Sequence, residues 1–173
     1  MGKHLEENSK DKFIFDTSAF LRIESIYLLD TVTDLFSIIT TLSVLRELEN
    51  FARHEDRLGI IAKRVLLKRN RFFLKEAAIT ERLEYVSSID EELFNFAFNE
   101  NITLITDDLK LLRHTTGKIK RAFSTYFLTD FVYAGMFTKE EALVKLEEMR
   151  DIRDWQENII YLSTKGVLEN IED

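Results

Sequence analysis

Short apolar runs alternate along the chain with longer segments in which apolar residues recur at helical spacing. The run from Lys12 to Asp16 (KFIFD) predicts a buried strand that ends at a carboxylate. Ile38 to Thr41 and Ile102 to Thr106 predict two more strands, and Lys120 to Ser124 predicts the last one. Glu84 to Val86 is predicted as a minor strand.

Between these strands the apolar spacing predicts helices, starting with Leu42 to His54 and Arg57 to Phe73. A capping box at Ser88–Glu91 predicts the start of the next helix, and Asn101 predicts its end. A short helix is predicted from Asp107–Asp108, and an apolar helix after Ser124 is predicted to end at Gly135. A second capping box at Thr138–Glu141 begins an amphipathic helix to about Arg153, and a final helical segment is predicted from Trp155 to Ile171. This alternation predicts an α/β fold with a mainly parallel sheet, whose ligands bind beyond the carboxyl ends of the strands.

The composition sets the size and class of the protein. With 173 residues, 45% of them hydrophobic, the chain has material for one core. We therefore expect a flexible tail over residues 1–12 and a single domain over residues 13–173. The absence of cysteine excludes disulfides and thiolate-bound metals. The polar N-terminus resembles neither a signal peptide nor a membrane span, so a cytoplasmic protein without membrane contact is expected.

The net charge of −7 opposes tight binding to a polyphosphate over the whole surface, so any contact with nucleic acid has to be local. Basic residues outnumber acidic ones between Arg53 and Arg82, where the helix containing Lys68 and Arg71 either follows a phosphate backbone or is simply a solvated face. Four basic residues that follow the Asp107–Asp108 pair are better placed for substrate binding: Arg113, Lys118, Lys120 and Arg121.

Four acidic residues have positions that a parallel α/β fold gathers on one side of the sheet. Asp16 and Asp108 follow strands, and Glu47 and Asp90 lie near the starts of helices. Such carboxylates repel one another unless a cation neutralises them, and hard oxygen ligands favour Mg²⁺ or Mn²⁺. At a phosphodiester, such an ion lowers the pKa of an attacking water and offsets the charge that develops on the phosphate oxygens.

Each acid also has an ordinary structural interpretation. Asp16 is of the residue type that caps helices and forms turns, and Glu47, like Glu49 beside it, suits a solvated helix surface. An acid in the first turn of a helix, such as Asp90, is favoured by the helix dipole whatever its function. His4, His54 and His114 show no metal-binding spacing.

Three segments resemble, in order and spacing, the motifs of PIN-domain nucleases: FIFDTSAFL (Phe13 to Leu21), TTLSVLRELEN (Thr40 to Asn50) and SSIDEELFNFAFNENITLITDD (Ser87 to Asp108). The resemblance implies a PIN-like three-layer sandwich. It also implies that Asp16, Glu47, Asp90 and one of Asp107 or Asp108 hold Mg²⁺ or Mn²⁺, with Ser18 and Thr106 as polar supports. Because many relatives have Thr-x-Asp at the fourth position, it favours Asp108 as the ligand and Asp107 as a flanking carboxylate.

The stretch from Tyr126 to Glu148 resembles the C-terminal part of a prokaryotic, VapC-like subgroup of toxin-antitoxin ribonucleases. That resemblance implies a homodimer with a shared basic groove and an antitoxin protein that inserts a cation among the carboxylates. The chain departs from these relatives at Leu111 and Leu112, where they commonly have a further acid. The resemblance therefore does not imply a complete second metal site in this chain.

Together these observations predict a metal-dependent endoribonuclease that hydrolyses single-stranded RNA. The alternative is a non-catalytic PIN-like interaction module. An aspartyl-phosphate phosphatase or receiver-like domain ranks last, because the phosphatase normally has Asp-x-Asp and Asp16-Thr17-Ser18 lacks the second acid. We expect an aromatic stripe in the C-terminal third to form core or a dimer interface: Phe123, Tyr126, Phe127, Phe131, Tyr133 and Phe137.

Overall fold

A central parallel sheet organises the computed structural model, which describes residues 10–151 and 158–172. Its five strands lie in the order β3-β2-β1-β4-β5, and all of them are parallel: β1 (Lys12–Phe15), β2 (Ser37–Thr40), β3 (Phe73–Leu74), β4 (Thr103–Ile105) and β5 (Arg121–Ala122). In the central pair, Ile14 of β1 lies opposite Leu104 of β4. The carboxyl ends of β1 and β4 therefore meet at one edge of the sheet.

The described residues form helices over the following ranges: α1 (Thr17–Ser25), α2 (Leu29–Leu35), α3 (Leu42–Phe51), α4 (Arg57–Leu67), α5 (Ser88–Glu100), α6 (Leu109–His114), α7 (Tyr126–Tyr133), α8 (Lys139–Arg150) and α9 (Ile159–Glu169). Asparagine and glycine end two of them as expected, since Asn101 and Gly135 have φ of 52° and 69°. Gly59 lets α4 pass close to the loop after α3, because an added Cβ would lie 2.0 Å from the carbonyl oxygen of His54.

One face of the sheet is covered through aromatic contacts. Phe13 and Phe15 point to the same side of β1, because side chains alternate along a strand. The ring of Phe127 in α7 lies 5.4 Å from Phe13 and 5.7 Å from Phe15, and the ring of Phe20 in α1 lies 5.2 Å from Phe15. This cluster confirms that the C-terminal aromatic stripe supplies core. Two members of the stripe, Tyr126 and Tyr133, are exposed instead.

The opposite face is covered by α5, which packs against β1 and β4. Ile14, which points away from Phe13 and Phe15, is fully buried. Crossovers between parallel strands are right-handed in nearly all proteins, and the return from β3 to β4 runs across the sheet in the direction opposite to the earlier crossovers. This rule puts α5 on the other side of the sheet from α1, α3 and α4, which pack against one another. The expected α/β class, with a parallel sheet between two helical layers, is confirmed.

The sequence prediction fails in the segment after α4. The helix predicted to reach Phe73 ends at Leu67, and a 3-10 turn at Arg69–Arg71 leads into β3. The chain leaves the helix because Phe72 is then buried, with its ring 4.8 Å from Phe20. Glu84 to Val86 is no strand, since Tyr85 has φ of 66°, and β3 occupies the sheet edge instead.

The first capping box lies one residue earlier than predicted. The Ser87 hydroxyl accepts from the backbone N–H of Asp90 (3.1 Å), and the Asp90 carboxylate accepts from the N–H of Ser87 (3.2 Å). The sequence allows a capping box at Ser87–Asp90 or at Ser88–Glu91, because each serine is followed three residues later by an acid. The alternative acid, Glu91, instead accepts from Arg82 (2.8 Å) and from the N–H of Leu83 (3.0 Å).

Some expectations concern residues outside the described ranges. The tail is described only from Lys10, and the predicted ends at Arg153 and Trp155 fall in residues 152–157. The division into a tail and a single domain stays a prediction. Within the described residues, no helix is long and apolar enough to cross a membrane.

Candidate functional site

A pocket of about 620 Å³ opens where β1 and β4 end. Its wall contains all five acids that the sequence singled out: Asp16, Glu47, Asp90, Asp107 and Asp108. They come from the end of β1, from α3, from the first turn of α5 and from the loop between β4 and α6. The fold thus brings together carboxylates that lie up to about 90 residues apart in the chain, as the parallel topology predicts.

Asp16 is the most deeply buried of these acids, with 6% of its surface exposed. It caps α1 by accepting from the N–H of Ala19 at 2.7 Å, and it also accepts from the hydroxyls of Ser18 and Thr106. Burial raises the pKa of Asp16 to about 7, although these hydrogen bonds oppose the rise. The negative charge of Asp107 adds to it. A proton or a cation is therefore favoured at this carboxylate.

Ser18 and Thr106 link Asp16 to the loop after β4. The Ser18 hydroxyl donates to both carboxylate oxygens of Asp16 at 2.8 Å and accepts from the N–H of Asp107 at 2.9 Å. The Thr106 hydroxyl donates to Asp16 and accepts from the N–H of Asp108 at 3.0 Å. Both hydroxyls therefore hold the ends of β1 and β4 together.

Asp107 and Asp108 have different surroundings. Asp107 accepts from the backbone N–H of Ser124 (2.9 Å) and from its hydroxyl (2.7 Å), and lies 3.7 Å from Nε of Arg22. Asp108 caps α6 through one carboxylate oxygen, Oδ1, which accepts from the N–H groups of Lys110 (2.7 Å) and Leu111 (3.1 Å). Asp107 thus ties the loop to the segment before α7, and Asp108 is the less heavily bonded of the two acids.

Glu47 and Asp90 complete the acidic wall. The carboxylate of Glu47 accepts a short hydrogen bond from the hydroxyl of Thr17, the residue after Asp16. One oxygen of Asp90, Oδ2, is used in the capping box with Ser87. The structural interpretation of Asp90 as a capping acid is therefore realised, while its side chain still lines the pocket.

Sequence reasoning missed five polar residues that line the pocket: Thr17, Arg22, Ser87, Lys110 and Asn158. Arg22 is buried and donates to the carbonyl oxygen of Met149 at the end of α8, a partner 127 residues away. No local pattern identifies that contact. Thr17 and Lys110 were detectable in principle, because each stands next to or two residues after a predicted ligand.

The basic residues predicted to bind substrate lie in several places. Lys68 and Arg71 are in ion pairs: Lys68 with Glu24 and Asp30 (2.7 Å each), and Arg71 with Asp30 (3.1 Å) and Asp34 (2.8 Å). Hydrogen bonds to Asp30 and Glu24 raise the pKa of Lys68 in spite of its partial burial.

Of the other four predicted basic residues, Arg113 lies in the last turn of α6 and three follow that helix. Arg113 and Arg121 line a second pocket beside the acidic one. Lys118 has its ammonium 5.8 Å from the centre of the Phe94 ring, and Lys120 is exposed. Their role in binding substrate stays a prediction.

The donor set fits a hard divalent cation by its chemistry, because carboxylates and hydroxyls share one pocket that contains a buried carboxyl group with a raised pKa. In the described residues, however, no three acidic or histidine side chains converge into a ready-made metal cage. Mg²⁺ typically uses one or two carboxylates and retains several waters. The pocket thus fits a hydrated ion better than a fully protein-bound one.

No model of a protein family matches the sequence, and neither does any curated protein. Several solved structures are similar to the chain, among them the following three. VapBC2 from Rickettsia felis, bound to a DNA fragment from its promoter, is 15% identical, and the match covers 65% of this chain and 98% of that chain with a TM-score of 0.47. A PilT N-terminus domain protein from the archaeon Sulfolobus solfataricus P2 is 13% identical, with 69% of this chain and 92% of that chain covered and a TM-score of 0.48. VapBC-1 from nontypeable Haemophilus influenzae is 14% identical, with 66% of this chain and 98% of that chain covered and a TM-score of 0.46. Sequence identities of 13–15% and TM-scores below 0.5 do not establish the function of this chain.

Proposed function

We propose that this chain is a PIN-domain nuclease, an Mg²⁺- or Mn²⁺-dependent endoribonuclease that hydrolyses phosphodiester bonds of single-stranded RNA. One observation carries the proposal: Asp16 and Asp108 line the same pocket, joined through the Thr106 hydroxyl, and Glu47 and Asp90 face that pocket with them. A structural role alone does not require acids from four separate segments to share one cavity. The motif resemblance points to the same residues.

The divalent ion would supply Lewis acidity, which lowers the pKa of a water and offsets charge on the phosphate. The residues that would hold it are Asp16, Glu47, Asp90 and Asp108. The other side chains position these acids: Ser18 and Thr106 orient the Asp16 carboxylate, and Thr17 orients that of Glu47. While no ion is bound, burial raises the pKa of Asp16 to about 7, so binding of the ion would displace a proton from this carboxyl group.

Two cations of the chain face the same pocket. Arg22 is buried beside Asp107, and the side chain of Lys110 is exposed at the pocket wall. Positive charge here attracts a phosphodiester that five carboxylates would otherwise repel. We expect Lys110 to contact the RNA backbone, whereas Arg22 holds Asp107 and α8 in place.

The proposal is tested by incubating the purified protein with a mixed pool of single-stranded RNA and Mn²⁺. We expect cleavage that EDTA abolishes. Asp16→Asn, Asp108→Asn and Glu47→Gln should each reduce the rate by at least about a hundredfold. Glu49→Gln is the matched control, because Glu49 is an exposed acid on the same helix as Glu47, and it should cleave like the wild type. Wild-type protein that leaves every RNA intact would refute the proposal.

A non-catalytic PIN-like module is the second candidate, and the lack of a converged cluster of three acids among the described residues favours it. Isothermal titration with Mn²⁺ separates the two. Binding that Asp16→Asn abolishes supports the nuclease, and no binding by the wild type supports the module. A homodimer and an antitoxin partner belong to the same proposal, and sedimentation of the purified chain tests the dimer.

A further inference from the structure

A second pocket, of about 580 Å³, lies between α6, α7 and α9. It meets the acidic pocket in two places. Leu109 lines both pockets, and the consecutive residues Asn158 and Ile159 line one each. A single extended ligand can therefore occupy both pockets by passing between the beginnings of α6 and α9.

The charge of this second pocket is opposite to that of the first. Arg113 and Arg121 line it, and no acidic residue of the described chain does. Arg121 is held in place by donating to the Leu112 carbonyl oxygen and to the Thr116 hydroxyl. Arg113 is exposed and makes no side-chain hydrogen bond or ion pair within residues 10–151 and 158–172. Its guanidinium therefore remains available to an anionic ligand.

The position of Arg113 also fits a ligand that begins in the acidic pocket. Leu109 and Arg113 are four residues apart in α6 and so lie on the same side of that helix. Arg113 is five residues after Asp108, which is about 7.5 Å along a helix axis. One nucleotide of an extended strand spans that separation.

The interior of the pocket combines apolar walls with two buried hydroxyls. Leu112, Phe123 and Val167 provide apolar surface. The hydroxyls of Thr125 and Thr164 are 2.7 Å apart, in side chains that are more than nine-tenths buried. Two hydroxyls that share one hydrogen bond retain one further hydrogen, and these two have no other hydrogen-bond partner in the described parts of the chain.

We propose that the second pocket binds the nucleotide next to the phosphodiester held in the acidic pocket, which makes it a base-binding subsite for single-stranded RNA. The inference rests on the proposed function. The flat faces of the base pack against the apolar walls, the threonine pair donates to a carbonyl oxygen on the edge of the base, and Arg113 binds the adjoining phosphate. An unpaired strand is required, because a base within a duplex cannot enter a pocket of this kind.

Binding of fluorescently labelled oligouridine, eight nucleotides long, tests the subsite by anisotropy in EDTA, where neither metal nor cleavage contributes. We expect Arg113→Glu to weaken binding about tenfold or more. Arg113→Ala should reduce the slope of log affinity against log salt by about 0.7, the value for one phosphate contact to a single strand. Arg69→Glu is the matched control, since Arg69 is exposed and lines neither pocket.

A second pair of variants tests the base rather than the phosphate. Val167→Glu places a charge on the apolar wall and should weaken binding about as strongly as Arg113→Glu. Val144→Glu makes the same change on an exposed position of α8 outside the pocket and should not. Thr164→Val keeps the shape of the side chain and removes its hydroxyl. We expect this variant to bind oligouridine several-fold more weakly than the wild type does, and to lose less affinity for an abasic oligonucleotide.

Hydrolysis of a small phosphodiester, bis(p-nitrophenyl) phosphate, with Mn²⁺ separates this inference from the proposed function. This ester reports on the acidic pocket alone, because it does not reach the second pocket. Asp16→Asn should abolish its hydrolysis, and Arg69→Glu, at an exposed position that lines neither pocket, should leave the rate unchanged. Wild-type protein that hydrolyses neither ester nor RNA defeats the nuclease proposal, while the binding comparison still decides the subsite. The subsite is overturned if Arg113→Glu and Val167→Glu both bind RNA like the wild type, if the wild type binds no RNA, or if an acidic peptide of equal charge competes as well as RNA.

Discussion

Asp16 is an ionisable side chain buried where its charge is costly. Because its pKa is raised from 3.8 to about 7, the folded protein keeps a proton between these values that the unfolded chain has lost. The free energy of unfolding therefore falls as the pH rises through this interval, and the full cost is present above pH 7. For a carboxylate that forms salt bridges, whose pKa is lowered in the folded protein, the free energy of unfolding instead rises as the pH rises.

Asp16→Asn should remove most of that pH dependence, because the amide has no charge to bury. Without divalent metal, we expect the variant to equal the wild type near pH 4 and to exceed it at pH 8 by on the order of a few kcal/mol. Urea denaturation at pH 4, 6 and 8 measures the difference. Asp11→Asn, at an exposed aspartate, is the control. Parallel curves for wild type and Asp16→Asn would contradict the buried-charge explanation.

Asp107 and Asp108 are adjacent acids for which the structure indicates different roles. Asp107→Asn removes the negative charge that faces Arg22 and disturbs two hydrogen bonds from Ser124, so we expect a loss of about 1–3 kcal/mol in unfolding free energy. Asp108→Asn should cost little, because asparagine caps helices about as well as aspartate. Chemical denaturation compares the two variants, and equal losses would count against this division of roles.

At the scale of elements, α1 and α4 are joined by a buried charge. Glu24 is fully buried and accepts from Nε of Arg64 at 3.1 Å and from Nζ of Lys68 at 2.7 Å. Removing one member of a buried ion pair leaves the charge of the remaining member without a countercharge, which destabilises the fold. Because Arg64 and Lys68 are themselves partly exposed, solvent reduces the cost.

We therefore expect Glu24→Gln to lower the unfolding free energy by about 1–3 kcal/mol. Glu49→Gln makes the same change at an exposed helix position and should lie within about 0.5 kcal/mol of the wild type. Thermal and urea unfolding measure both. If the two variants unfold alike, the buried network contributes nothing to holding α1 against α4.

The elements themselves were predictable wherever the signal was local. β1, β2 and β4 are short apolar runs, and Asn101, Gly135 and the Thr138 capping box end or begin helices where the sequence predicted. β3 was missed because two residues have no periodicity. Its place depends on the pairing of Ile39 with Phe73 and on the burial of Phe72, which are contacts between distant segments.

At the scale of the whole molecule, a divalent ion that binds the acidic pocket should stabilise the fold by mass action. It competes with the proton on Asp16, so Mn²⁺ should raise the melting temperature of the wild type more at pH 8 than at pH 5.5. Asp16→Asn should show a much smaller shift at both values. Differential scanning fluorimetry with and without Mn²⁺ measures this, and an equal shift in wild type and variant would place the ion elsewhere.

The sequence by itself determined the α/β class, because strand runs, helical spacing and the order of the elements are local properties that fix where parallel strands end. Among the acids near that edge, only the motif resemblance favoured Glu47 over Glu49. Only the tertiary structure decided which partners those acids have. Asp107 is bound to Ser124, Asp90 to its own helix start, and Lys68 to Glu24, while Arg22 enters the pocket. These contacts join residues that are from 3 to 44 positions apart along the chain, and no rule of sequence spacing predicts which donor binds which carboxylate.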